Sequence, residues 1–204
     1  MQAGGRAVVR LDAAMTKWVC VYCASSTRLA PKYYAAGEET GRGLGERSWG
    51  LVYGGGKAGV MGSVAIATKA SGGAVVGVIP DFMVERELAF EEADELIVVE
   101  SMRERRRIME ERADAFVALP GGIGTLEELV EILVARSLNR HAKPLILVNQ
   151  DGFYDDLLRF FARMTEENFK SPNLHEQIVV TPTVAGVWAL LENPPAAAVD
   201  ALWR

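Results

Sequence analysis

Residues 115–133 read AFVALPGGIGTLEELVEIL. Ala115 to Leu119 form an apolar run without alternation, as in a strand covered on both faces. A turn follows at Pro120-Gly121-Gly122-Ile123-Gly124. Leu126, Leu129, Val130 and Leu133 then recur at helical spacing, which predicts a helix over 126–138 with that stripe on the sheet. Thr125 fits the N-cap of this helix and Glu128 its third position, the two members of a capping box. A carboxylate at the ligand-facing tip of a sheet can also reach a sugar. Local physics does not choose between these two roles for Glu128.

The same alternation extends in both directions. Further strands are predicted at 18–23, 50–53, 74–79, 95–99, 144–148 and 178–180, and further helices at 31–47, 59–71, 102–113, 153–168 and 184–192. Strands alternating with helices make βαβ units around a parallel sheet. Right-handed crossovers then give an α/β fold, a Rossmann-like doubly wound parallel sheet of about seven strands with helices on both faces. Residues 17–192 read as one nucleotide-binding domain, with a flexible tail at 1–16 and another at 193–204. Ligands of such sheets bind outside the carboxyl ends of the strands, so the loops there decide function.

Composition bounds the partners. The chain has 204 residues, half of them apolar, with 22 basic against 27 acidic side chains and a net charge of −5. This argues against a nucleic-acid coat, which needs a basic surface. No apolar run reaches the length of a membrane span, and the N-terminal stretch lacks a secretory core. Cys20 and Cys23 are the two cysteines. They lack the second pair or nearby histidines of a zinc site, and three residues apart on a strand they point to opposite faces. Two buried thiols and no metal are expected, in a cytoplasmic protein.

Three loops share one sheet edge. Ala24-Ser25-Ser26 offers small hydroxyl donors or a turn. Gly54-Gly55-Gly56-Lys57-Ala58-Gly59-Val60-Met61-Gly62 can converge backbone N–H groups on a phosphate. It has no Walker order, and the acidic residue expected after a dinucleotide fingerprint is missing. The third loop is Gly121–Thr125, already described. Beside them lies Met102-Arg103-Glu104-Arg105-Arg106-Arg107. Ser101 and Glu104 make a capping box. Arg105 shares a face with Ile108 and Met109, so it points inward at the ligand edge. A cation there opposes the helix dipole and calls for an anion such as a phosphate or Glu128. Arg103 and Arg107 belong to the solvated face.

The stretch SMRERRRIMEERADAFVALPGGIGTLEE (101–128) closely resembles the cytokinin-activating LONELY GUY family, long mislabelled as lysine decarboxylases. Its signature P-G-G-x-G-T-x-x-E is matched from Pro120 to Glu128, and its M-H-E-R-K motif at Met102, Glu104 and Arg105. CVYCASS, YGGGKAGVMG and GVIP extend the likeness over roughly residues 17–190. The resemblance implies a phosphoribohydrolase that cleaves the N-glycosidic bond of N6-substituted adenosine 5′-monophosphates, yielding free base and ribose 5-phosphate. It implies no cofactor and a homodimer with active sites near the subunit interface. Arg105 and Glu128 map to the catalytic pair. Gly121, Gly122, Gly124 and Thr125 map to phosphate binding, with Gly55 and Gly56 assisting. Ser25, Met102 and Arg106 are further candidates at the substrate. Arg103 stands where the family has histidine, Arg106 where it has lysine, and Ala24 replaces a common glycine.

A carboxylate near C1′ stabilises an oxocarbenium-like transition state, the role expected of Glu128. Arg105 can hold that carboxylate ionised and bind ribose or phosphate. Phe82, Met83 and Met102 are candidates for an apolar N6 pocket. Three rivals remain. A lysine decarboxylase needs a Schiff-base lysine, for which Lys57 is the one candidate in a ligand loop. A nucleotide carrier on the same fold would not need the Arg105 and Glu128 pair. A plain AMP nucleosidase would ignore the N6 group.

Overall fold

The computed structural model describes residues 15–86, 88–169 and 177–195. Most of the expected tails, and His175, lie outside the described residues. Continuous apolar runs form the strands because both faces of the sheet are covered. These are β1 (Trp18–Tyr22), β2 (Gly50–Tyr53), β3 (Val75–Pro80), β4 (Glu95–Val99), β5 (Ala115–Ala118), β6 (Leu145–Val148) and β7 (Val179–Thr181). All pair in parallel, in the order β4-β3-β2-β1-β5-β6-β7. The chain builds outward from β1 to β4, then returns to place β5 on the other side of β1. The edge where β1 and β5 diverge is the switch point of a doubly wound sheet.

The helices are α1 (Pro31–Glu46), α2 (Gly59–Ala70), α3 (Met102–Arg112), α4 (Ile123–Ser137), α5 (Asp155–Glu166) and α6 (Ala185–Glu192). Alternate residues of each strand feed two cores. Val19 and Val21 of β1 pack with Leu44 of α1, Val64 of α2 and Val187 of α6. Cys20 and Tyr22 pack with Met109 of α3 and Leu129 of α4 on the opposite side. The two thiols are therefore buried on opposite faces, as the strand spacing requires. Helices α1 and α2 approach through glycine. A Cβ at Gly41 would press on the Val64 carbonyl and lie 2.8 Å from the Ala67 Cβ. Among the described residues no helix is long and apolar enough to cross a membrane.

Two local expectations change. Helix α4 starts at Ile123 with Gly122 as its N-cap, not with Thr125, and no side chain caps it. A glycine in the first turn does not stop a helix whose remaining residues pack well. Thr125 and Glu128 then fall on the buried side with Leu129, Ile132 and Leu133, while Val130 turns outward. Helix α3 is capped as expected, with Ser101 Oγ accepting from the Glu104 N–H at 3.2 Å. The Glu104 carboxylate reaches back to the Glu100 N–H at 3.4 Å, one residue earlier than the usual box.

Candidate active site

The switch point opens into two connected chambers. The inner one, about 240 Å³, is walled by Cys23–Ser26 after β1, Met61 of α2, Arg105 of α3, and Gly122–Thr125 with Glu128 of α4. The outer one, about 570 Å³, is walled by Ser25–Arg28, Ala58, Met83, Arg86, Met102, Arg105 and Gly124. Ser25, Ser26, Arg105 and Gly124 border both.

Burying an arginine and a glutamate is costly unless each charge finds partners. Arg105 is 5% exposed and Glu128 is 8% exposed. The guanidinium reaches a carbonyl within β3 and one in the loop just after β2. Its Nε donates to the Val78 carbonyl at 3.2 Å and its Nη2 to the Gly54 carbonyl at 3.1 Å. Its Nη1 lies 3.8 Å from Met102 Sδ. These carbonyl dipoles offset the unfavourable placement of a cation in the first turn of α3. Two ionisable groups of β1 are buried in the neighbouring core. Burial, and then the Glu128 charge, push the Cys20 thiol far above its ordinary range. Burial, Cys20 and Glu128 do the same to the Tyr22 phenol. Of the residues on the inner chamber wall, Glu128 is the one carboxylate.

The start of α4 is suited to an anion. The first N–H groups of a helix lack intrahelical acceptors and carry the positive end of its dipole. Ile123, Gly124 and Thr125 supply those groups on the chamber wall. A Cβ at Gly122 or Gly124 would meet no protein atom within 4 Å, so packing does not require glycine at either position. At Gly121 a Cβ would overlap Thr125 Oγ1, so that glycine shapes the turn. Tyr154, just before α5, braces the loop by donating its O–H to the Leu119 carbonyl at 2.8 Å. No sequence signal marks Tyr154, because the contact joins residues 35 positions apart.

Helix α2 is different. The N–H groups of Val60 and Met61 are taken by the Ala24 carbonyl at 2.9 and 3.3 Å. Gly55 packs on β3, where a Cβ would lie 2.9 Å from that of Ile79, and Gly56 bridges to Ala89. Gly55 and Gly56, expected to assist at the phosphate, therefore stand outside both chambers. So does Arg106, whose guanidinium pairs across to α4 with Glu127 at 2.8 Å and with Glu131. One residue of helix rotation separates it from the inward Arg105. Arg107 is solvated and paired with Glu111. Lys57 is exposed and faces Glu92 at 3.3 Å, away from the chambers. Of the candidates for an N6 pocket, Met83 and Met102 line the outer chamber, and Phe82 is 63% exposed outside it. Among the described residues no three His, Cys, Asp or Glu side chains converge as metal ligands.

Comparisons with known proteins concern the family and the fold. Residues 61–191 match the family model described as possible lysine decarboxylase. A probable cytokinin riboside 5′-monophosphate phosphoribohydrolase of Oryza sativa subsp. japonica is 44% identical, over 91% of this chain and 78% of that protein. A cytokinin riboside 5′-monophosphate phosphoribohydrolase of Mycobacterium tuberculosis is 45% identical, over 81% of this chain and 88% of that protein. Among solved structures, the molybdenum cofactor carrier protein of Chlamydomonas reinhardtii superposes with a TM-score of 0.67 at 23% identity, covering 86% of this chain and 96% of the carrier. That likeness concerns the fold alone. By sequence, at better than two-fifths identity along most of its length, the chain belongs to the LONELY GUY family of phosphoribohydrolases, whose family model carries the older lysine decarboxylase description.

Proposed function

We propose that this protein hydrolyses the N-glycosidic bond of N6-substituted adenosine 5′-monophosphates, releasing the free base and ribose 5-phosphate. The observation that carries this reading is the buried Glu128 beside the buried Arg105 in one chamber that also holds a helix N-terminus. The 5′-phosphate sits on the Gly122–Thr125 wall, with Ser25 opposite it. The ribose lies below Glu128, whose carboxylate stabilises the oxocarbenium-like transition state and takes a proton from the attacking water. Arg105 orients that carboxylate and contacts the sugar phosphate. The base enters the outer chamber, where Met83 and Met102 offer thioether surface to an apolar N6 substituent. The AMP nucleosidase alternative leaves most of that chamber unused, and a carrier has no need of Glu128.

A substrate panel tests this. N6-isopentenyl-AMP is expected to yield free base with a kcat/KM at least tenfold above that of AMP, about 1.4 kcal/mol for the substituent in an apolar pocket. Equal rates support the plain nucleosidase, and no base from either substrate removes the hydrolase reading.

The same reading includes a cytoplasmic homodimer without nucleic-acid or membrane partners. Val130, Val134 and Leu138 make an apolar stripe on the outer side of α4, each more than a third exposed. Ile123, 84% exposed, continues the stripe to the rim of the inner chamber. Exposed contiguous apolar surface of this kind marks an interface. Light scattering is expected to give the mass of two chains, and Val134→Glu the mass of one. A single-chain mass for the unaltered protein removes the dimer.

A further inference from the structure

The glycine-rich stretch from the loop after β2 into the start of α2 faces protein at four of its glycines. A Cβ at Gly54 would overlap Arg105 Nη2, and one at Gly55 would crowd Ile79. A Cβ at Gly59 would press on the Ser25–Ser26 backbone, and one at Gly62 on the Lys57 carbonyl. Gly122 and Gly124, by contrast, have open space where a Cβ would stand. The loop is therefore a platform for other walls of the cleft. Gly59 seats the Ser25 loop, and its positive φ of 62° confounds any substitution there. Gly54 has no such strain among the described backbone angles.

We propose that Gly54 is a positioning residue for hydrolysis: its bare α-carbon leaves the berth in which the Arg105 guanidinium lies. Three observations make the berth specific. The Nη2 arm donates to the carbonyl of Gly54 itself, so the guanidinium lies directly against this residue. The Nε donates to Val78 on the adjacent strand, which fixes the plane of the group. The atoms nearest a Cβ at Gly54 are Nη2 and Cζ of Arg105, followed by Met61 Sδ at 3.2 Å, all on side chains and none on backbone. Alanine at 54 therefore leaves the fold in place and moves the arginine. The displaced guanidinium loses two carbonyl acceptors and shifts within the chamber that Glu128 also lines. A misplacement of about 1 Å at a catalytic group costs on the order of 10²-fold.

The inference rests on the proposed activity for its kinetic arm, and a binding arm keeps the two separable. Gly54→Ala is expected to lower kcat/KM on N6-isopentenyl-AMP by about 10²-fold, and to weaken AMP binding, with Tm within about 3 °C of wild type. In an Arg105→Lys background the same change is expected to cost less than about threefold in either measurement, because lysine has no Nη2 arm to displace. A purely structural glycine would cost the same in both backgrounds, and that result overturns the proposal. So does unchanged activity and binding in Gly54→Ala. If Gly54→Ala does not fold, the Gly54→Ala/Arg105→Ala chain must fold, since the clash is with Arg105. Failure of both chains to fold also overturns it. If wild-type protein cleaves nothing, the hydrolase reading fails while the AMP-binding cycle still decides the role of Gly54.

Discussion

Replacing Glu128 by glutamine is expected to lower kcat on N6-isopentenyl-AMP by about 10³-fold, roughly 4 kcal/mol of barrier. The substitution keeps the shape, removes the negative charge and exchanges one acceptor oxygen for an NH2 donor. The transition state gains positive charge on the sugar ring that the bound substrate does not have, so the loss falls on kcat and leaves KM within a factor of about three. Stability is set by two opposing effects. Glu128 is 8% exposed, where an amide costs less to desolvate than a carboxylate, but the buried Arg105 on the same chamber wall loses a neighbouring negative charge. The variant is therefore expected to stay folded with a small change in Tm, measured by thermal unfolding. Undiminished cleavage in Glu128→Gln would remove the assignment. A fall in kcat accompanied by unfolding would reduce Glu128 to a structural role.

That assignment shows where the sequence was sufficient and where it was not. The strands were legible to within a residue or two, because a parallel sheet covered on both faces demands uninterrupted apolar runs. Arg105 was legible too, since its spacing to Ile108 and Met109 sets its direction before any tertiary contact is known. The start of α4 was misread because Gly124 looks like a break in the pattern. The helix in fact begins at Ile123. This shifts Glu128 from a cap to the second turn, and it exchanges Val130 for Ile132 on the buried stripe. The spacing 125, 128, 129, 132 carried that answer, although two of its members are polar. The glycines of 54–62 were the least legible. Composition shows that the side chains are absent but not what occupies the space, and here the occupants come from α3, β3 and the β1 loop. The partners of Arg106 were hidden for a similar reason, since they lie on α4 some twenty residues along the chain.

Removing the 5′-phosphate from the substrate is expected to lower kcat/KM by about 10³-fold or more, the largest change a single substrate group should produce. The riboside still presents the same bond to Glu128, so the loss measures binding energy gathered at the α4 terminus and used at C1′. On the proposed reading, three backbone N–H groups and the helix dipole act on that one group. Gly124→Ala separates this account from a general loss of fit. The added methyl meets no protein atom within 4 Å, and alanine in the first turn of a helix is no less stable than glycine. The variant should therefore fold with unchanged or higher Tm. Gly124 borders both chambers, so the methyl intrudes on the space assigned to the phosphate. Cleavage of the monophosphate is expected to fall by about 30-fold, roughly 2 kcal/mol, while the slow cleavage of the riboside stays the same. The ratio between the two substrates then narrows from one side only. Equal losses on both would place Gly124 against the base or ribose. Equal turnover of riboside and monophosphate by the unaltered protein would leave the open space at Gly122 and Gly124 without the anion that explains it.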